Sequence, residues 1–137
     1  MARILVVDDD AESRDLLSEV LEANGYRVET VENGLAARQA LARDADCHVI
    51  IADLHMPTES GLELLRHLRG QKSWHQIVLM SSFFSASERK RARELGATAL
   101  LDKPFRLSEL LEVVSQLTDR TPAAFAVSSN GESTPLK

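Results

Sequence analysis

The sequence lacks several features that would point to particular classes of protein. Its single cysteine, Cys47, excludes an internal disulfide, and nothing beside it suggests a metal or a nucleophile, so we expect a small buried thiol. No apolar run approaches the length of a membrane span, and the N-terminus reaches Asp8 too soon for a signal peptide. The net charge of −5 argues against sequence-independent binding to nucleic acid by this segment. These absences predict a cytoplasmic protein that binds no membrane and no nucleic acid.

Length and composition indicate one ordinary globular domain. The chain has 137 residues, of which 44% are hydrophobic and 27% charged, and this allows a sizeable core. From Thr118 onward the composition changes, and residues 128–135 show no apolar periodicity. We therefore expect a single domain over residues 2–118, followed at 119–137 by a disordered tail or a truncated linker.

Short apolar runs alternate with helical patterns along the expected domain. The runs end at polar residues, and most read as strands buried in a parallel sheet. The predicted strands cover residues 4–7, 26–30, 49–51, 77–80 and 99–101. Helices are expected over 11–24, 35–42 and 60–69, between Ser85 and Gly96, and from Leu107 onward. Five alternations predict an α/β fold, a single (βα)5 doubly wound domain with helices on both faces of a parallel sheet.

A few residues mark the ends and inner faces of these helices. Asp10 is a candidate N-cap of the first helix, and Gly25 suits the position after its end. Ser85 and Glu88 match a capping box at the start of the fourth helix. Apolar stripes at helical spacing are expected to face the sheet. They comprise Leu16, Leu17, Val20 and Leu21; Ala37, Ala40 and Leu41; Leu64, Leu65 and Leu68; and Leu107, Leu110, Leu111, Val114 and Leu117.

Polar residues follow four of the five predicted strands, and the carboxyl ends of parallel strands share one edge of the sheet. These residues are Asp8 and Asp9, Asp53, Ser81 and Lys103. Carboxylates that meet at one point can hold a hard divalent cation, most plausibly Mg²⁺. A hydroxyl and an ammonium group beside them could bind phosphoryl oxygens. Each residue alone also has a plain structural explanation, such as a loop cap or a solvated charge.

Five short motifs, in this order and at these spacings, resemble those of receiver domains of two-component response regulators, the CheY-like family. The motifs are Val6-Val7-Asp8-Asp9, Asp53-Leu54-His55-Met56-Pro57 with Gly61 after it, Val78-Leu79-Met80-Ser81, Gly96-Ala97 and Lys103-Pro104-Phe105. The resemblance spans residues 2–117. It implies a flavodoxin-like, five-stranded parallel sheet of order 2-1-3-4-5.

The resemblance also implies the metal site. By position, Asp9 is similar to the direct Mg²⁺ ligand, and Asp8 to the acid that holds metal-bound water. Asp53 is a further ligand, and His55 matches the position that contributes a backbone carbonyl. Mg²⁺ is the only cofactor expected on this basis.

The resemblance assigns the chemistry to three side chains. Asp53 looks like the phosphoacceptor, whose donor is a phosphohistidine on a histidine kinase or phosphotransfer protein. Ser81 and Lys103 match the hydroxyl and the ammonium group that bind the phosphoryl group, and a cis bond is expected before Pro104. Such a domain is not a classical enzyme, although it takes part in its own phosphorylation and autodephosphorylation. It switches a downstream effector or fused output domain, and it could dimerise through the fourth helix, fifth strand and fifth helix.

Three positions depart from the common pattern of the family. Leu100 lies where an aromatic switch residue is frequent, and Ser82 replaces a small apolar residue. Phe83 occupies a variable position that often influences hydrolysis. These departures affect the expected switching and phosphate lifetime, and they predict a modest rearrangement confined to the loop after Ser81 and the fourth helix.

Other functions remain open on the sequence alone. Asp8 and Asp10 form the Asp-x-Asp pattern of haloacid dehalogenase-like phosphatases, but Ala11 and Glu12 replace the residues expected next. A flavodoxin-like cofactor binder would need a phosphate-binding loop after the first strand, and none is present. A receiver-like domain that docks without ever being phosphorylated is the third alternative.

Overall fold

A computed structural model of the chain describes residues 2–44, 46–73 and 75–118. Its ten elements alternate strictly between strand and helix. They are β1 Arg3–Val7, α1 Ala11–Ala23, β2 Arg27–Val31, α2 Gly34–Arg43, β3 Val49–Asp53, α3 Gly61–Gly70, β4 Gln76–Ser81, α4 Ala86–Glu94, β5 Ala99–Asp102 and α5 Leu107–Thr118. No helix in these ranges is long and apolar enough to cross a membrane.

The five strands form one parallel sheet in the order β2-β1-β3-β4-β5. This confirms the predicted fold class and strand order. The register aligns the carboxyl ends of the strands: Val7 of β1 lies opposite Ala52 of β3, and Asp53 lies opposite Met80 of β4. The polar residues that end these strands are therefore brought to one edge.

The core lies in two apolar layers, one on each face of the sheet. Alternate residues of a strand point to opposite faces, and in β3 Ile50 belongs to one layer whereas Ile51 belongs to the other. The first layer contains buried residues of α2, α3 and α4, and the second contains those of α1 and α5. All five residues of β3 are buried, as expected for a strand covered on both faces.

Local sequence signals determine several helix ends. Asp10 is the N-cap of α1 and accepts a hydrogen bond from the amide of Ser13 at 3.2 Å. Gly25 follows α1 with a φ of 92°, a left-handed conformation that favours glycine. Complete capping boxes at Ser60 and Ser85 begin α3 and α4. The predicted caps at Asp10 and Ser85 are confirmed.

The predicted inner face of α1 is partly wrong. Leu17 and Leu21 are buried, but Leu16 is 48% exposed. One residue corresponds to about 100° around a helix, so a helix that buries Leu17 and Leu21 turns Leu16 to the edge of the contact. The inner faces predicted for α2 and α3 are confirmed.

Two further expectations meet different outcomes. β2 begins at Arg27, one residue later than predicted, because the amide of Tyr26 bonds to the Leu21 carbonyl as part of the turn after α1. The tail expected at 119–137 lies outside the described residues.

Candidate functional site

Three carboxylates converge at the carboxyl edge of the sheet. Asp8, Asp9 and Asp53 each offer one oxygen, and these oxygens lie within 4.8 Å of one another. Asp8 and Asp53 are only 1% and 9% exposed, whereas Asp9 is exposed. β1 presents the first two residues and the end of β3 presents the third, so the structure brings together the acids that the sequence singled out.

One oxygen of the Asp8 carboxylate is buried and accepts no hydrogen bond from the described residues. Its Oδ1 accepts a hydrogen bond from the Asp10 amide at 3.0 Å, but its Oδ2 is buried and has no hydrogen-bond partner among the described residues. Burial raises the pKa of the Asp8 carboxyl above its ordinary value, and the nearby charge of Asp53 adds to this effect. A buried acceptor of this kind is costly unless a cation binds it. The donor set, made only of oxygens, fits Mg²⁺.

Lys103 is paired with Asp53. Its Nζ donates to Asp53 Oδ2 at 2.8 Å and lies 3.9 Å from Asp8 Oδ2. Burial by itself would lower the pKa of Lys103, but the hydrogen bond and the charge attraction with Asp53 outweigh it and raise the pKa above 10.5. The Lys103 amide bonds to the Ser81 carbonyl, and the expected cis bond before Pro104 is present. The lysine is therefore charged and directed at Asp53.

Ser81 ends β4 and is buried, with 1% exposure. Its hydroxyl donates to the Phe83 carbonyl at 2.7 Å and accepts from the Phe83 amide at 3.0 Å. The Nδ1 atom of His55 lies 3.2 Å from the same hydroxyl, and Nε2 of this ring lies 3.4 Å from Oε2 of Glu88. The sequence pointed to the backbone of His55, whose amide also donates to Asp53 Oδ1 at 3.0 Å. The contacts of its imidazole were missed.

The loop between β3 and α3 carries a second feature that sequence reasoning missed. Glu59 is 7% exposed and accepts two hydrogen bonds from Arg38 of α2, at 2.9 and 3.0 Å. The Gly34 amide donates to the Glu59 carbonyl at 3.1 Å. Thr58 beside it has a φ of 73°, a conformation that is unusual for a β-branched residue. An acid in a polar loop looks solvated in the sequence, so no local signal could have revealed this pair.

A mostly apolar groove of about 440 Å³ adjoins the acidic cluster. Leu16, which is exposed to solvent, forms part of the lining of this groove. Asp8 and Lys103 also contribute to its lining. The other lining residues are Ser13, Leu17, Met80, Ser82, Pro104, Phe105 and Leu107.

Among known protein families, the chain matches the model of the response regulator receiver domain over residues 4–115. Among curated proteins, response regulator MprA of Mycobacterium tuberculosis is 39% identical over 127 residues, which make up 93% of this chain and 55% of that protein. The chain thus spans about half the length of the curated relatives it matches.

Solved structures agree with this match. Chemotaxis protein CheY4 of Vibrio cholerae is 32% identical, with a TM-score of 0.79 over 85% of this chain and 98% of that one. Response regulator TrrA of Thermotoga maritima, solved in complex with Mg²⁺ and BeF, is 35% identical, with a TM-score of 0.75 over 85% and 99%. The chain therefore belongs to the response regulator receiver domains of two-component systems, which are signalling proteins rather than classical enzymes.

Proposed function

We propose that the chain accepts a phosphoryl group on Asp53 from a phosphohistidine of a histidine kinase or phosphotransfer protein, in a Mg²⁺-dependent reaction. The observation that carries the proposal is the pairing of Asp53 with Lys103 at 2.8 Å inside a cluster of three carboxylates. Phosphoryl transfer depends mainly on positioning and charge neutralisation. The strand-end geometry supports the first, and the charged groups around Asp53 support the second.

In this reaction an oxygen of Asp53 attacks the phosphorus atom of the donor. The phosphorus–nitrogen bond breaks, its electron pair returns to the donor imidazole, and an acyl phosphate forms on Asp53. Lys103 is already directed at Oδ2 and balances negative charge on the phosphoryl oxygens. The Ser81 hydroxyl, at the end of the neighbouring strand β4, is the second group available to bind these oxygens.

The metal belongs to the same proposal. The Oδ2 of Asp8, which accepts no hydrogen bond, and the clustered oxygens of Asp9 and Asp53 fit a hard divalent cation, with the His55 carbonyl as a further ligand. When bound, Mg²⁺ would neutralise the carboxylates and the incoming phosphoryl group. The Mg²⁺ and BeF complex of TrrA supports this assignment.

The proposal also includes the partners of the domain. The apolar groove opens beside Asp8 and Lys103, so a helix of the donor protein could lie in it with its phosphohistidine next to Asp53. After transfer, the domain signals to an effector or a fused output domain. The surface that would form a dimer consists of α4, β5 and α5. Autodephosphorylation resets the domain. We place these events in the cytoplasm.

The phosphatase alternative gains no support, because Asp10, its second acid, serves as the N-cap of α1. Incubation with acetyl phosphate and Mg²⁺ tests the proposal against phosphorylation-independent docking. The wild type should incorporate labelled phosphate, whereas Asp53→Asn should not. Asp102→Asn is a matched control, since Asp102 also ends a strand but has an exposed side chain paired with Arg89. Equal labelling of wild type and Asp53→Asn would overturn the assignment.

A further inference from the structure

The Ser81 hydroxyl has no spare hydrogen-bonding position. It offers one proton and two lone pairs. The proton goes to the Phe83 carbonyl, one lone pair accepts from the Phe83 amide, and the other faces Nδ1 of His55 at 3.2 Å, which donates to it when protonated. Because Ser81 is only 1% exposed, water cannot readily replace a lost partner. To bind a phosphoryl oxygen on Asp53, the hydroxyl must give up at least one of these contacts.

The other side of the His55 ring faces α4. Its Nε2 lies 3.4 Å from Oε2 of Glu88, a contact that stabilises when Nε2 carries a proton. The second oxygen of Glu88 accepts from the Ser85 amide at 2.8 Å. The Glu88 amide in turn donates to the Ser85 hydroxyl at 3.1 Å, which completes the capping box of α4. One imidazole therefore lies between the hydroxyl that ends β4 and the first turn of α4.

We propose that the His55 side chain is a positioning residue that holds Ser81 and the first turn of α4 in the unphosphorylated arrangement and transmits the release of Ser81 to α4. The inference rests on the proposed function, because phosphorylation of Asp53 gives the Ser81 hydroxyl its competing partner. Once the hydroxyl turns to the phosphoryl group, the ring loses its contact at Nδ1. Its contact with Glu88 is then no longer fixed, so the start of α4 is free to move.

The two ring contacts can be removed separately. In His55→Asn the amide occupies the place of Nδ1, so it can still bond to Ser81 but is too short to reach Glu88. In His55→Gln the amide extends to the place of Nε2, so it keeps Glu88 and loses Ser81. His55→Ala removes both contacts. All three variants retain the backbone carbonyl proposed as a metal ligand.

Amide chemical shifts measured with and without beryllofluoride and Mg²⁺ test the inference. Residues 92–94, at the far end of α4, report on helix movement rather than on the loss of the ring itself. Without beryllofluoride, His55→Ala should shift these amides along the line that the wild type follows on adding it. The population of the activated arrangement should rise at least roughly fivefold, because at least one hydrogen bond that favours the unphosphorylated arrangement is lost.

The control is Glu29→Ala, because Glu29 lies on β2, which β1 and β3 separate from β4, and the substitution should leave these amides unshifted. His55→Asn should release α4 while the Ser81 amide stays near its wild-type position, and His55→Gln should do the reverse. If the wild type shows no shift with beryllofluoride, the proposed function fails. If the wild type shifts but the free spectra of His55→Ala and wild type coincide over residues 92–94, the proposed function stands and this inference is overturned.

Discussion

The buried Oδ2 of Asp8 is the single atom that most clearly points to a bound cation. A buried carboxylate oxygen that accepts no hydrogen bond destabilises the metal-free protein, and the charge of Asp53 nearby increases the cost, whereas Lys103 at 3.9 Å offsets part of it. We expect Asp8→Asn to raise the free energy of unfolding in chelator by about 1 kcal/mol. The same variant should weaken Mg²⁺ binding. Thermal unfolding in chelator and calorimetric titration with Mg²⁺ measure the two effects.

The stability difference between Asp8→Asn and the wild type in chelator should depend on pH in a defined direction. Because burial raises the pKa of folded Asp8 above 3.8, the folded protein holds the Asp8 proton more tightly than the unfolded chain. Protonated Asp8 therefore stabilises the folded state at low pH, and this stabilisation is lost as the pH rises through the pKa of Asp8 in the folded protein. In chelator, the advantage of Asp8→Asn over wild type should therefore shrink as the pH falls from 7 toward 4. A constant advantage across this range would contradict the assignment.

Sequence reasoning found the residues of the site that end a strand. Asp8, Asp53 and Ser81 follow apolar runs, and the topology of a parallel sheet brings such residues to one edge. Sequence reasoning could not find the imidazole contacts of His55 or the burial of Glu59. These contacts depend on how a loop folds onto α4 or α2, and the hydrophobic periodicity of the sequence does not predict such loop packing.

At the scale of the elements, the first residue of α3 packs closely against the end of β3. A Cβ on Gly61 would lie 2.6 Å from the Asp53 carbonyl oxygen and 2.9 Å from Leu79 Cδ2. Gly61→Ala should therefore cost about 2 kcal/mol of stability and lower phosphorylation, because it displaces the backbone of Asp53. Gly70→Ala, in the same helix, meets nothing within 4 Å and should be neutral or stabilise by up to about 1 kcal/mol. Urea unfolding of both variants tests the contrast, and equal stabilities would count against it.

The ion pair between α2 and the loop that joins β3 to α3 provides a second test. The Glu59 side chain is 9% exposed and that of Arg38 is 29% exposed, so Arg38→Ala should leave a buried charge and cost about 2 kcal/mol. His67 Nε2 lies 3.4 Å from Glu59 Oε1 and remains beside the carboxylate in this variant. Arg43→Ala in the same helix removes an exposed pair with Glu29 and should cost less than about 0.5 kcal/mol. Denaturant unfolding that ranks the two variants equally would show that the buried pair has no special role.

Helix and strand positions were largely predictable, and their faces less so. Caps such as Asp10 and Ser85 are local signals, so the starts of α1 and α4 agree with the sequence. The orientation of α1 depends on its packing against the sheet. An apolar stripe that includes Leu16 does not by itself determine which residues of the stripe face the centre of the contact. Tertiary contacts decided that question.

At the scale of the whole molecule, the alternation of strands and helices predicted a parallel sheet but not its strand order. The order 2-1-3-4-5 came from the resemblance to receiver domains and is confirmed. Only β2 had a local signal for an edge position. Its alternating polarity agrees with a strand in which no residue is fully buried.

The division of the chain remains a prediction. Residues 119–137 lack an apolar periodicity, so truncation after Asp119 should leave the melting temperature and the phosphorylation of Asp53 unchanged. Thermal unfolding and phosphate incorporation of the truncated and full chains make the comparison. A clear loss of stability would show that apolar residues such as Phe125 and Val127 pack against the domain.

The central claim is that Asp53 receives the phosphoryl group in a Mg²⁺-dependent reaction. Borohydride reduces an acyl phosphate to an alcohol, so peptide mass mapping after phosphorylation and reduction identifies the modified carboxylate directly. Our account predicts one modified residue, Asp53, in the presence of Mg²⁺ and none in excess chelator. Modification at Asp8, Asp9 or any other residue, or an equal yield of modified Asp53 in chelator, would contradict it.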